Sequence, residues 1–103
     1  MEKVKITVIR KFNPKEVFGH EIVRHDTGKI VPTCSIEKGK EYLVDNLYEM
    51  PDDFCPRVWK EMHDILSMFF YGGDIEYPEP GVTYIPCRDG VRPVVFKIER
   101  LEN

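Results

Sequence analysis

The sequence lacks the features that mark membrane, secreted and nucleic-acid-binding proteins. No apolar run approaches the roughly eighteen residues of a membrane span, since the densest stretch, residues 65–71, is interrupted by Ser67. Residues 1–12 are charged and contain no apolar segment of signal-peptide length. The 15 Lys and Arg against 18 Asp and Glu give a net charge of −3, so no basic nucleic-acid footprint is indicated. We therefore expect a cytoplasmic protein with neither a membrane nor a nucleic acid as partner.

Several chemical motifs are also missing. Neither G-x-G-x-x-G nor G-x-x-x-x-G-K-[ST] occurs, so no phosphate-binding loop is predicted. The three cysteines form no C-x-x-C pair, which removes the local signature of a zinc ribbon. Their odd number means that they cannot all pair within the chain, and reduced thiols suit the cytoplasm. Cysteine-dependent catalysis would need a general base near Cys55, and the sequence shows none that can be placed there. Whether the protein is an enzyme is therefore left open.

What is present is enough for one self-sufficient domain. At 103 residues and 12.1 kDa, the chain fits a single domain over residues 1–103. Folding at this mass buries about two-thirds of the surface, so a core needs no disulfide or metal.

The hydrophobic pattern predicts four strands and one main helix. Period-two alternation predicts a strand over residues 3–11 and another from residue 94, and shorter strands are expected over 41–44 and 82–85. Residues 56–71 carry apolar side chains three and four apart, begin with Pro56 and precede Gly72-Gly73, which predicts an amphipathic helix. The fold class is therefore α+β, a small antiparallel sheet of about four strands with one long amphipathic helix packed on one face.

Two segments leave alternatives open. Residues 21–33 are consistent with either a small hairpin around Asp26-Thr27-Gly28 or an irregular excursion. In the last hairpin, a two-residue Asp89-Gly90 loop pairs Cys87 with Arg92 on the core face but opposes Pro86 to Pro93. A three-residue loop pairs Cys87 with Val91 and turns its side chain to the other face. Since neither proline can donate to the ladder, we favour the three-residue loop or a broken ladder.

The cysteines carry the main functional hypothesis. Cys34 precedes a predicted strand, Cys55 precedes the helix as its expected N-cap, and Cys87 lies at a strand end. If these ends converge, Cys34, Cys55 and Cys87 form a metal site for zinc or an iron–sulfur species, and the protein is a small thiol module. Alternatively the three are small packing residues of a non-enzymatic binding or accessory domain, whose partner is another protein or a second copy.

Other candidate groups are weaker. His63 is a possible fourth ligand by residue type, but it lies about 12 Å along the helix from Cys55. His20 and His25 fall in the ambiguous segment. The arginines flanking the last hairpin are consistent with an anion site or with solvated strand charges; they are Arg88, Arg92 and Arg100.

Several motifs resemble one small uncharacterised prokaryotic family. They are V-K-I-T-V from Val4, a cysteine ahead of K-G-x-E-Y-L-V, F-C-P-x-V-W, G-G, and C-R-D-G-V-R-P-V-V-F-K-I-E-R from Cys87. The resemblance runs from Val4 to Glu102, and the C-terminal C-x-D-G-x-R-P-V-x-F motif is its most specific part. It implies a single domain in which all three cysteines belong to the family pattern, and it implies no activity. Residues 19–33 are longer here than in that pattern.

Overall fold

The alternating apolar residues form one buried face of a four-stranded sheet. The structure is a computed structural model, and it describes residues 3–101. Its elements are β1 (Val4–Lys11), α1 (Pro14–Phe18), β2 (Glu41–Val44), α2 (Pro56–Phe70), β3 (Val82–Pro86) and β4 (Val94–Arg100). The sheet is antiparallel with strand order β2-β1-β4-β3, and α2 packs on one face against β1 and β4. The predicted α+β architecture is confirmed, although α2 has 15 residues and is only moderately long.

The two central strands supply most of the core. Ile6 lies opposite Ile98, and Val8 lies opposite Phe96; all four side chains are at most 1% exposed. The opposite face of the sheet is charged, and Lys5 lies 3.3 Å from Glu41 and 3.5 Å from Glu99. This inside–outside division is the one expected from period-two alternation.

The helix α2 begins and ends where its sequence indicates. Pro56 occupies the first turn and Cys55 is the N-cap, as expected from the restricted conformations of a residue before proline. The residues that face the sheet are four apolar side chains at helical spacing, Val58, Met62, Leu66 and Phe69. Gly72 adopts φ of 90° just beyond Tyr71, so the predicted end of the helix is confirmed to within one residue.

The last hairpin has neither of the two registers considered and shows the broken ladder that was the other favoured alternative. Pro86 pairs with Val95, and the Cys87 N–H donates to the Val94 carbonyl at 2.8 Å. Cys87 therefore lies opposite Val94 and not opposite Arg92 or Val91, and the ladder breaks before Pro93. The observed register differs by two residues from the one that an Asp89-Gly90 loop would give. Because an even shift leaves every side chain on the same face of the sheet, Cys87 stays on the core side.

The ambiguous segment over residues 21–33 adopts the hairpin alternative in minimal form. Val23 and Ile30 form a single antiparallel bridge, flanked by a hydrogen bond from Arg24 N–H to the Lys29 carbonyl at 2.8 Å. Most of this hairpin is exposed. Within residues 3–101, no helix is long and apolar enough to cross a membrane.

The loop between α2 and β3 is closed by Asp74. Its Oδ1 accepts hydrogen bonds from the Gly81 N–H at 3.0 Å and from the Ile75 N–H at 2.9 Å, and Arg100 Nη2 lies 3.4 Å from Oδ2. These backbone hydrogen bonds, assisted by the Arg100 charge, hold the pKa of Asp74 below its usual value of 3.8.

The lowered pKa makes this loop sensitive to acid. A carboxylate whose pKa is lower in the folded state stabilises the fold above its unfolded pKa and loses that contribution as the pH falls through the folded pKa. Asp74→Asn is therefore expected to be less stable than wild type at pH 7, with the difference shrinking below about pH 4. Urea unfolding at pH 7 and pH 3 measures it, with Asp52→Asn in the exposed loop before α2 as control. An equal difference at both pH values would contradict the assignment.

Candidate functional site

All three cysteines line a single pocket at one end of the sheet. The pocket has a volume of about 150 Å³, the size of a cavity that accommodates a benzene-like molecule. Its lining residues are Cys34, Ile36, Cys55, Arg57, Val58, Glu61, Cys87, Arg88, Asp89, Arg92, Val94 and Phe96. The sequence left open whether the three element ends converge, and in the structure all three cysteines line this one pocket, with their thiols free and half-buried.

Each cysteine reaches the pocket from a different element. Cys34 lies in the irregular chain before β2, where its carbonyl accepts a hydrogen bond from Lys11 Nζ at 3.0 Å. Cys55 is the N-cap of α2, and its side chain makes no capping hydrogen bond. Cys87 follows β3, and its Sγ accepts a hydrogen bond from the Val94 N–H at 3.3 Å. Among residues 3–101, the thiols of Cys34 and Cys55 thus make no hydrogen bond to the helix cap or the strands beside them.

The thiols line the pocket without forming a preassembled ligand set. Among the residues that the structure describes, no group of three or more His, Cys, Asp or Glu side chains is placed so that it could hold a metal ion. A common ion bound by three thiolates needs metal–sulfur distances near 2.3 Å. Any such binding therefore requires the cysteines to move closer together.

The rim of the pocket carries more positive than negative side chains. Three arginines and two carboxylates line it. Arg88 Nε pairs with Glu61 Oε2 at 3.3 Å, and Arg92 Nε lies 3.6 Å from Asp89 Oδ2. Arg57 makes no ion pair with any residue between 3 and 101. The lining side chains therefore leave one formal positive charge without a partner.

Glu61 carries a buried oxygen without a hydrogen-bond partner at the pocket. Its Oε1 is buried and has no hydrogen-bond partner among the described residues, while Oε2 pairs with Arg88. A buried acceptor without a partner costs about 1–3 kcal/mol, and such atoms are uncommon in folded proteins. The carboxylate is therefore a group that gains from a donor or a cation brought by a ligand.

A second depression is lined by two of the same cysteines. It shares Cys34, Ile36 and Cys55 with the three-cysteine pocket. Its charged lining residues are Glu37, Lys40 and Asp53, with Lys40 Nζ 4.0 Å from Asp53 Oδ2. Cys34 and Cys55 thus line both a depression with a carboxylate excess and a pocket with an arginine excess.

The histidines do not line the three-cysteine pocket. His63 hydrogen-bonds through Nε2 to the Leu47 carbonyl at 2.6 Å and packs edge-on against Trp59, so it secures the chain before α2. His20 and His25 are exposed on the hairpin segment. Of the arginines flanking the last hairpin, Arg88 and Arg92 line the pocket, whereas Arg100 does not.

Sequence reasoning missed two charged residues of the pocket. Arg57 and Glu61 lie on α2 outside its apolar stripe, so the periodicity that predicts the helix does not single them out. Their spacing of four residues places them on one side of the helix, beside Val58. That spacing was available in the sequence, but it becomes informative only when the last hairpin is known to pass beside this end of α2.

Comparisons with known proteins reveal no similar sequence or structure from which a role for this pocket could be inferred. No family model matches the chain, and neither the curated proteins nor the solved structures contain a significantly similar one. The resemblance to a small prokaryotic family stays a prediction carried by its quoted motifs.

Proposed function

We propose that the protein is a small cytoplasmic thiol module that binds a soft metal ion or an iron–sulfur species through Cys34, Cys55 and Cys87. The observation that carries the proposal is the location of three cysteines, far apart in sequence, around one pocket. Thiolate sulfur is the ligand type that selects zinc, copper(I) and iron–sulfur clusters.

The charges around the pocket support the same proposal. Three thiolates around a divalent ion carry a net charge of −1, and the charge is more negative if Glu61 also contributes. Arg57, Arg88 and Arg92 line the same pocket, so they would offset this negative charge at short range.

Binding requires a local rearrangement, and the chain allows one. Cys55 is held at the start of α2, whereas Cys34 and Cys87 lie in segments outside the helices and strands, and movement of Cys87 would break its two hydrogen bonds with Val94. Closure of these two segments onto Cys55 would bring the sulfurs within ligand distance. Such closure couples metal binding to stability, as in other small metal-binding domains.

Metal titration of the reduced protein tests the proposal. We expect wild type to bind one equivalent of Zn²⁺ in competition with a chromophoric chelator, and Co²⁺ to give sulfur-to-cobalt charge-transfer absorption. Cys55→Ser should weaken Zn²⁺ binding at least about 100-fold, because loss of a supporting outer-shell group alone costs 10–100-fold. His63→Ala removes a ligand type outside the pocket and should leave binding unchanged. Metal-free protein with three freely titratable thiols in the presence of Zn²⁺ would refute the proposal.

A second candidate is a non-enzymatic accessory domain with structural cysteines, acting through a protein partner or a second copy. It is favoured by the packing of all three cysteines against the hydrophobic core and by the hydrogen bond that Cys87 Sγ accepts. In that case the melting temperature in reducing buffer should not change on addition of Zn²⁺ or a chelator. A metal-dependent rise in melting temperature would exclude it.

A further inference from the structure

We infer that the three-cysteine pocket receives a small anionic molecule, whose negative group is bound by the arginine rim and whose body lies against the thiols and the apolar floor. This inference does not depend on a metal. It follows from the excess of three lining arginines over the carboxylates of Glu61 and Asp89, from the hydrogen-bond donors left free there and from the size of the pocket.

The arginines retain donors that their ion pairs do not use. Arg88 contacts Glu61 through Nε, which leaves its terminal nitrogens for another acceptor, since a guanidinium has five N–H donors. Arg57 and Arg88 are both exposed at the rim, with 76% of the Arg88 side chain accessible. Planar guanidinium groups bind carboxylate, sulfonate and phosphate oxygens in pairs of hydrogen bonds.

The start of α2 adds backbone N–H donors beside Arg57. The first N–H groups of a helix have no acceptor within it, and here the Cys55 side chain supplies none. Arg57 and Val58 belong to this first turn and line the pocket. The positive end of the helix dipole therefore reinforces the guanidinium charges at one position.

The floor of the pocket determines the rest of the ligand. Besides the thiols, it is formed by apolar side chains, Ile36, Val58, Val94 and Phe96. A volume of about 150 Å³ accommodates a small molecule and excludes a folded peptide segment. The ligand class is thus a small anion with an apolar or sulfur-containing body.

Paired thiol reagents of opposite charge measure the potential inside the pocket. The probes are 2-sulfonatoethyl methanethiosulfonate, which is anionic, and its 2-trimethylammonioethyl counterpart, each referenced to a free small thiol. We expect the normalised rate for wild type to be about tenfold higher with the anionic reagent, as for one to two unit charges a few ångströms away. Added salt should reduce this preference, and peptide mapping by mass spectrometry assigns the modified cysteines.

Two double variants decide the origin of the preference. Arg57→Ala with Arg88→Ala removes the exposed rim charges and should abolish or reverse the ratio. Lys15→Ala with Lys29→Ala removes the same formal charge from exposed positions outside the pocket and should preserve it. Equal normalised rates in wild type, or the same ratio in both double variants, would overturn the inference.

Non-covalent protection separates a small anion from a partner chain. Ethanesulfonate should slow modification of the thiols by the neutral methyl methanethiosulfonate, and the rim variant should lose this protection. Protection by an acidic hexapeptide without protection by ethanesulfonate would overturn the small-molecule assignment. Since zinc titration is a separate measurement on the same protein, either result can be negative without deciding the other.

Discussion

Replacing Phe96 with alanine is expected to lower the free energy of unfolding by about 3–5 kcal/mol, as for other buried phenylalanines. Phe96 is 1% exposed and packs edge-on against Phe54, with ring centroids 5.7 Å apart. It lies on β4 opposite Val8, so its removal leaves a cavity bounded by a central strand that cannot collapse easily. A loss of this size is a large part of the 5–15 kcal/mol that stabilises a typical domain.

Urea unfolding followed by the fluorescence of Trp59, the single tryptophan, measures this loss. Phe18→Ala is the matched control, because the same side chain on α1 is 46% exposed and should cost below about 1 kcal/mol. Phe96 also forms part of the pocket floor, so its alanine variant should react faster with neutral thiol reagents. Equal destabilisation by the two substitutions would contradict the assigned burial of Phe96.

The pocket is an extension of the core, and this links the stability of the fold to its candidate function. The three cysteines pack against the buried cluster while also lining the pocket. Val58, Val94 and Phe96 likewise contribute to both. Because the same side chains hold the sheet against α2 and form the floor of the pocket, a ligand that fills the pocket should also raise the stability of the fold.

Local patterns made most of the fold predictable from the sequence. The strand over residues 3–11 and the helix over residues 56–71 are long, strongly periodic and bounded by proline or glycine, so one structure satisfies each pattern. Period-two alternation also indicated which face of β1 and β4 is buried, because a face follows from the pleat and needs no knowledge of neighbours.

The register of the last hairpin was beyond local reasoning. Asp89-Gly90 is a strong two-residue turn signal, yet the ladder ends at Pro86 and Val95. Asp89 instead accepts a hydrogen bond from the Val91 N–H at 3.0 Å within a wider loop. Pro93 has no N–H to donate, and the first hydrogen bond of the hairpin beyond the loop runs from the Cys87 N–H to the Val94 carbonyl at 2.8 Å.

The composition of the site was predictable only in part. The positions of the cysteines at element ends were readable, but their convergence depends on β3 pairing with β4 beside the start of α2. Strand order does not follow from any local pattern. The arginine excess depends on the same long-range contacts, since Arg57 and Arg88 are 31 residues apart in the sequence.

Arg100 is expected to be the charged residue whose loss destabilises the fold most. Its guanidinium donates to the Phe69 carbonyl at 3.4 Å and to the Gly73 carbonyl, and it lies over the Phe69 ring at 5.5 Å. The Phe69 carbonyl belongs to the last turn of α2, where it also accepts a hydrogen bond from the Gly72 N–H at 3.2 Å, and Gly73 lies just beyond the helix. Arg100→Met keeps most of the apolar stem and removes the donors, so it should cost about 2 kcal/mol, within the range for hydrogen bonds to charged groups.

The matched control is Arg10→Met. Arg10 also lies over an aromatic ring, that of Phe12 at 4.6 Å, and near a carboxylate, Glu16 at 3.6 Å, but it is exposed and its guanidinium donates to no main-chain carbonyl among residues 3–101. Its loss should cost at most about 1 kcal/mol, as for surface ion pairs. Combining Arg100→Met with Asp74→Asn should cost less than the sum of the two, because the residues contact one another. Strict additivity, or equal costs for Arg100→Met and Arg10→Met, would mean that Arg100 acts as an ordinary surface charge and that the end of α2 is held by Gly72 and Tyr71 alone.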